Sequence, residues 1–302
     1  MTKPPIRNVA ASVRRRLLNL AQERGEEFQL VLTRYAIERI LYRLSRSTHR
    51  DRFILKGATL FAVWTGTPHR ATRDLDLLGF GDNSPSQLAQ VFREICAMDV
   101  GDEGLTFDTE GVRAAPIRED NIYGGIRVEF EAHLGSARIS LQVDVGFGDA
   151  ITPEPEELSI PVLLDFPPPI LRAYQKETVV AEKFHAMVAL GMTNSRMKDF
   201  FDIAWLADHF AFDEARLRDA IRATFVRRTT TLPHVVPLAL SSEFHGNETK
   251  RAQWRAFVRR INQSEQPSLE GTVDRIASLL LPFVNDDRQN RTWRPGGPWG
   301  TG

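Results

Sequence analysis

The sequence predicts an α+β protein, a mixed-sheet α/β N-terminal lobe followed by an α-helical C-terminal lobe. Three observations carry this. Up to about residue 173, strand-like runs alternate with helical ones. A proline- and acid-rich stretch from Thr152 to Pro169 then reads as an extended crossing segment. Beyond Tyr174 the periodicity is helical throughout. With 302 residues, 42% apolar and 26% charged, the chain has material for two packed cores and lacks the composition of a disordered one. The expected division is 1–173, 174–284 and a tail, 285–302, whose glycines and prolines predict disorder or order by contact alone.

Residues 8–24 carry Val9, Val13, Leu17, Leu18 and Leu20 near helical spacing, with Arg14 to Arg16 turned outward. A second amphipathic helix spans about 28–46. A short strand, 52–55, ends at Lys56-Gly57, and Ala58 to Trp64 is apolar enough for a buried helix. A strand over 71–78 and a helix over 85–98 follow. Strands are then expected at 105–108, 125–134 and 137–147, the last two joined by the hairpin signal Gly135-Ser136. In the second lobe, helices are expected at 177–190, 195–209, 213–226, about 249–262 and 269–284. There is no internal repeat.

A single cysteine, Cys96, excludes an intramolecular disulfide and any site built from several thiolates. The first ten residues hold no apolar signal segment, and the longest apolar runs are too short to span a bilayer, so a cytoplasmic protein without membrane contact is expected. Net charge is zero overall, yet residues 1–50 carry eleven Lys and Arg against four Glu, a local +7. Such a patch could meet a phosphate backbone or could be a solvated helix face.

On a strand, side chains at i and i+2 share a face. In the run 72–77 this places Thr72, Asp74 and Asp76 together, with Arg73, Leu75 and Leu77 opposite. Two carboxylates so close repel unless a cation sits between them. Mg²⁺ takes such oxygen ligands, usually one or two carboxylates plus substrate phosphates. A D-x-D pair also occurs in sugar-nucleotide transferases and at solvated strand ends. Asp144 sharpens the choice, because it interrupts the strand-forming run 139–146, where an acid needs a partner or a metal. Beside Asp76 it would complete a set of metal-binding carboxylates and could activate an attacking hydroxyl; otherwise it is salt-bridged, with Arg73 or Arg127 as candidates. Lys56-Gly57 forms a turn where backbone N–H groups could approach an anion.

In the second lobe, Lys183 lies on or beside the buried stripe of Val180, Phe184, Met187 and Val188. It needs a partner or a ligand, such as triphosphate oxygens in a cleft between lobes, unless it snorkels to water. The run 196–202 contains Arg196, Lys198, Asp199 and Asp202. Lys198–Asp202 reads as an i,i+4 surface pair, and Asp199 could orient Lys183. His133 and His185 sit singly in apolar contexts and read as core or surface residues. Phosphate loops of the G-x-x-x-x-G-K-S/T type, H-E-x-x-H and G-x-S-x-G are absent.

With these residues in hand, the chain resembles the AbiEii/AbiGii-type nucleotidyltransferase toxins, MenT-like members included. The resemblance runs through Phe53-Ile54-Leu55-Lys56-Gly57, the stretch Arg70 to Asp76, Val179 to Phe184, and Arg196-x-Lys198-Asp199. It implies a nucleotidyltransferase-like N-terminal lobe, an NTP substrate with Mg²⁺ (Mn²⁺ as a substitute), and transfer of a nucleotide, often from CTP, to tRNA 3′ ends. That transfer blocks aminoacylation and so translation. Asp74, Asp76 and Asp144 would bind metal and act in catalysis, with Lys183 and Asp199 the catalytic pair of the second lobe. Lys56, Gly57, Thr72, Arg73, Arg196 and Lys198 would bind the nucleotide. A cognate antitoxin, often a winged-helix protein, is the implied partner. One departure stands out: the family's glycine is commonly followed by serine, whereas Gly57 is followed by Ala58, so Thr59 or Thr72 would have to supply the hydroxyl. Two alternatives stay open: transfer to a protein hydroxyl or small molecule, and a decayed nucleotide-binding regulator.

Overall fold

The computed structural model describes residues 8–66, 70, 72, 74–117, 124–261, 267–284 and 289–301. Two compact units emerge, residues 1–148 with 156–173, and residues 149–155 with 174–302.

In the first unit, α1 (Val9–Arg24) and α2 (Phe28–Arg46) precede β1 (Phe53–Lys56), α3 (Thr59–Thr65), β2 (Asp74–Gly79) and α4 (Pro85–Cys96). Then come β3 (Leu105–Phe107), β4 (Arg113–Pro116), β5 (Gly125–Leu134), β6 (Ala137–Phe147), β7 (Glu156–Ser159) and β8 (Ile170–Ala173). The strands form one mixed sheet in the order β3-β5-β6-β2-β1-β8-β7, with β4 also pairing β5. β2 is parallel to β6 and antiparallel to β1, while β5 and β6 form the expected hairpin. Alternation sorts the faces. Leu55, Leu75, Leu77, Val143 and Val145 are buried, and helices α2 and α4 pack against the strands. Phe92 of α4 meets Phe53 and Phe130 with ring centroids 5.9 and 6.1 Å apart.

The basic N-terminal stretch is only partly the surface patch its charge suggested. Arg39 and Arg43 lie inside, and both pair with the buried Glu103. Arg39 also donates to the carbonyl of Pro167 at 2.8 Å. Arg16, Arg34 and Arg50 pair with Asp165, Glu26 and Glu157, leaving Arg14, Arg15, Arg24 and Arg46 among the exposed cations. Buried Glu38 accepts from the N–H of Leu163 at 2.7 Å, so α2 and its charges fasten the 160–167 segment.

Burial pushes the Glu38 carboxyl up to about 7, against the downward pull of the Leu163 N–H and Arg39. The folded state therefore keeps a proton that the unfolded chain releases between pH 4.5 and about 7, and stability falls as pH rises through that window. Glu38→Gln should lose this slope. Its stability relative to wild type, from urea melts at pH 4.5 and 8, should improve by roughly 3 kcal/mol across the range. A pH-independent difference between the two proteins would refute the assignment.

In the second unit, α5 (Lys176–Leu190), α6 (Met197–His209), β9 (Phe212–Asp213) and α7 (Glu214–Arg227) are followed by α8 (Ser242–Gly246), α9 (Glu248–Ile261) and α10 (Leu269–Val284). Of the two outcomes expected for the tail, order by contact is the one found. Residues 289–301 are ordered, and β10 (Arg291–Trp293) and β11 (Trp299–Thr301) pair as a hairpin whose first strand adds to β9. The two indoles supply the apolar area that such ordering requires. Trp293 is buried and donates Nε1–H to the carbonyl of Ala207 at 2.7 Å; Trp299 donates to Leu279 at 3.0 Å. The 149–155 segment, expected with the first lobe, belongs to the second unit: Asp149 pairs with Arg228 at 2.9 Å, and Thr178 donates to the carbonyl of Thr152 at 2.8 Å.

Candidate functional site

In the first unit the site is built on the polar face of the sheet. Antiparallel and parallel registers bring Lys56 opposite Asp76, Asp76 beside Asp144, and Asp144 opposite Arg127. One ionisable residue from each of β1, β2, β6 and β5 thus forms a single rung, with the two carboxylates adjacent at its centre. Asp74, two residues before Asp76, shares its face and lies beside Gln142. The described strand runs Asp74–Gly79, and the hydroxyl of Thr72 donates to the Asp74 carbonyl at 3.3 Å, while residue 71 lies outside the described residues. Arg73 lies outside the described residues.

Gly57 follows the rung on β1 with φ of 76°. A Cβ there would lie 2.6 Å from the Cβ of Asp76, so only glycine lets the turn close over that carboxylate. The expected phosphate-binding helix start is less open than the sequence suggested. The N–H groups of Leu60 and Phe61 donate to the carbonyls of Gly57 and Ala58 at 3.3 and 3.2 Å. Ala58 caps α3 with no side-chain bond, as an alanine must.

Of the two readings open for Asp144, the salt bridge is present. Arg127 donates Nε and Nη2 to its two oxygens at 2.9 and 3.0 Å. Among the described residues, no three His, Cys, Asp or Glu side chains are gathered into a metal cage. Asp74 and Asp76, two hard oxygen donors on one face, fit a Mg²⁺ completed by substrate phosphates better than a cage made wholly of protein. Next to Asp74 the polar face forms a groove of about 560 Å³, lined by Gln142, Ser140, Glu129, Arg113 and Arg138 among others.

The second unit carries its own cluster. Lys183 on α5 reaches Asp199 Oδ1 at 2.5 Å and Asp202 Oδ2 at 3.0 Å, both on α6. Asp199 is the partner the sequence suggested. Asp202 was missed: its assignment to Lys198 assumed an exposed flank, but it is 0% exposed, whereas Lys198 is on the surface. The available signal was its position among Phe200, Phe201 and Ile203, a turn that a packed helix buries. One ammonium between two buried carboxylates stays charged and fixed in direction. Arg196 is the N-cap of α6, its N–H bonded to Asn194 Oδ1 at 2.9 Å. His185 is a core residue held neutral: burial, helped by Arg228, lowers it to about 4, and its Nε2 meets Thr230 Oγ1 at 2.8 Å.

A family model described as the nucleotidyl transferase AbiEii toxin of type IV toxin–antitoxin systems matches residues 39–278. The chain belongs to the AbiEii family. This AbiEii chain is accordingly a nucleotidyltransferase toxin, for which the family implies an NTP substrate and a cognate antitoxin. The match spans both clusters. Among curated proteins no sequence matches. Among solved structures the chain is similar to JHP933 from Helicobacter pylori, with a TM-score of 0.50 and 14% identity, covering 86% of this chain and 93% of that one. A candidate nucleotidyltransferase from H. pylori superposes with a TM-score of 0.48 at 15% identity, covering 86% of this AbiEii chain and 96% of that one. The α+β class expected from the sequence is the one found. No described helix is long and apolar enough to cross a membrane.

Proposed function

We propose that this AbiEii toxin moves a nucleoside monophosphate, with CTP the first donor to test, from an NTP to the 3′ end of tRNA, blocking aminoacylation. The observation that carries the chemistry is the register of Asp76 beside Asp144 with Asp74 on the same face. Mg²⁺, or Mn²⁺ in its place, would be held by Asp74 and Asp76, with Asp144 adjoining. Such an ion supplies charge neutralisation for the phosphoryl oxygens. Gly57 lets the backbone close over Asp76, and Lys56 places positive charge in register with it. Lys183 of the second unit, paired with Asp199 and Asp202, is the catalytic lysine that the family resemblance implies; transfers of this kind depend on positioning and charge more than on covalent chemistry. An RNA acceptor is supported by the family resemblance and by exposed Arg14 and Arg15 on α1. The antitoxin is proposed to be a winged-helix protein.

The test incubates purified protein with each α-labelled NTP, Mg²⁺ and total tRNA. Label on tRNA is expected, reduced by about 10²–10³-fold or more in Asp76→Ala. Label on protein alone would move the acceptor to a protein hydroxyl, and no NTP consumption with Mg²⁺ or Mn²⁺ would overturn the proposal.

A further inference from the structure

The charged rung assigns work to Arg127, which the sequence offered only as one of two salt-bridge candidates for Asp144. Arg127 and Asp144 are directly opposed on β5 and β6, and the guanidinium grips both carboxylate oxygens. With the Gln142 amide turned to satisfy its surroundings, its oxygen also accepts from Nε and Nη2 of Arg127 at 3.1 Å. Arg127 therefore sits over the sheet between the two polar side chains that neighbour Asp76 and Asp74 on β6.

The pair is 34% and 21% exposed, so water reaches both partners and stability alone does not explain so exact a fork. What the fork does supply is direction and charge. Two parallel N–H bonds fix the plane of a carboxylate in a way that one ammonium cannot. A guanidinium also stays protonated under all relevant conditions, so Asp144 carries a permanent counter-ion one strand away from Asp76.

We propose that Arg127 is a positioning residue for nucleotidyl transfer: it orients Asp144 beside Asp76 and stands in for a cation at this third carboxylate. Divalent-ion binding then falls to Asp74 and Asp76. This rests on the nucleotidyl-transfer reading of the site. Its consequences split in opposite directions. Removing the guanidinium leaves Asp144 uncompensated beside two other carboxylates, which raises affinity for a free divalent cation. The same change releases the orientation of Asp144, which slows transfer.

The test compares wild type, R127Q and R127K in the full chain, with thermal melts to confirm folding. Free Mn²⁺ is titrated by electron paramagnetic resonance without nucleotide, and transfer is measured separately. R127Q should bind Mn²⁺ about tenfold more tightly. Its kcat should fall about 10²-fold with the KM for NTP little changed. R127K keeps the charge but not the fork, so its Mn²⁺ affinity should stay near wild type while kcat still falls. In a D144N background, R127Q should lower kcat no further. Unchanged or weaker Mn²⁺ binding in R127Q overturns the counter-ion role. Transfer within about twofold of wild type, or an additive loss with D144N, overturns the positioning role. If wild type transfers no nucleotide, the reading of the site fails by itself, and the Mn²⁺ comparison still decides the role of Arg127.

Discussion

Lys183→Ala is expected to destabilise the protein by about 3–5 kcal/mol and to remove transfer activity below detection. The stability loss follows from what stays behind. Asp199 and Asp202 are both buried, and Lys183 is the cation that meets them at 2.5 and 3.0 Å. Without it, two neighbouring buried carboxylates lose the ammonium they share, which costs free energy. Lys183→Ala combined with Asp202→Asn should recover part of the stability, since one charge is gone, but none of the transfer. A single mutant as stable as wild type at pH 8 would mean that the cluster is not the buried ion triad described here.

Trp293→Ala should cost about 3–5 kcal/mol, although only nine residues of the sequence follow Trp293. Its ring is 1% exposed, packs edge-on against Trp299 at 5.7 Å, and fills the space over Gly297. The substitution also leaves the carbonyl of Ala207 without its indole donor. Losing the anchor should loosen the β9–β10–β11 sheet and with it the contact of Arg291 with Glu214. Burial by itself would raise the Glu214 carboxyl, but hydrogen bonds from Arg218 and Arg291 outweigh it and hold the group at about 2. Hydrogen exchange offers the check. Amides of β10 and β11 should lose protection in Trp293→Ala, whereas those of β5 and β6 in the other unit should keep theirs. A melt unchanged from wild type would show that the hairpin adds nothing to the core.

How far the sequence could be read varies from element to element. β5 and β6 were legible to the residue because one face is buried and the other wet, and a period of two then shows in the letters. The short strands β4, β7 and β8 were not: each has only four residues, and β8 is placed by β1, a strand distant in sequence. The 152–169 stretch read as a plain crossing segment because its prolines mask β7, an edge strand. For the tail, the sequence left disorder and order by contact both open, since two tryptophans among glycines and prolines gain their value only where β9 and α10 receive them.

For the candidate site, local geometry was enough to put Asp74 and Asp76 on one face, because alternation along one strand is a property of the strand itself. The sequence also showed that Asp144 and Lys183 each needed a partner, since burial of a charge is costly wherever it occurs. Which partner each took was a matter of register and helix packing. Arg127 lies on Asp144 because β5 is antiparallel to β6 with those residues opposed. Asp202 joins Asp199 on Lys183 because α6 turns that flank inward and not to water. The chain alone thus determined which residues carry charge into half-buried places. Only the tertiary structure decided how those charges are balanced, because a salt bridge forms between elements that the sequence keeps far apart.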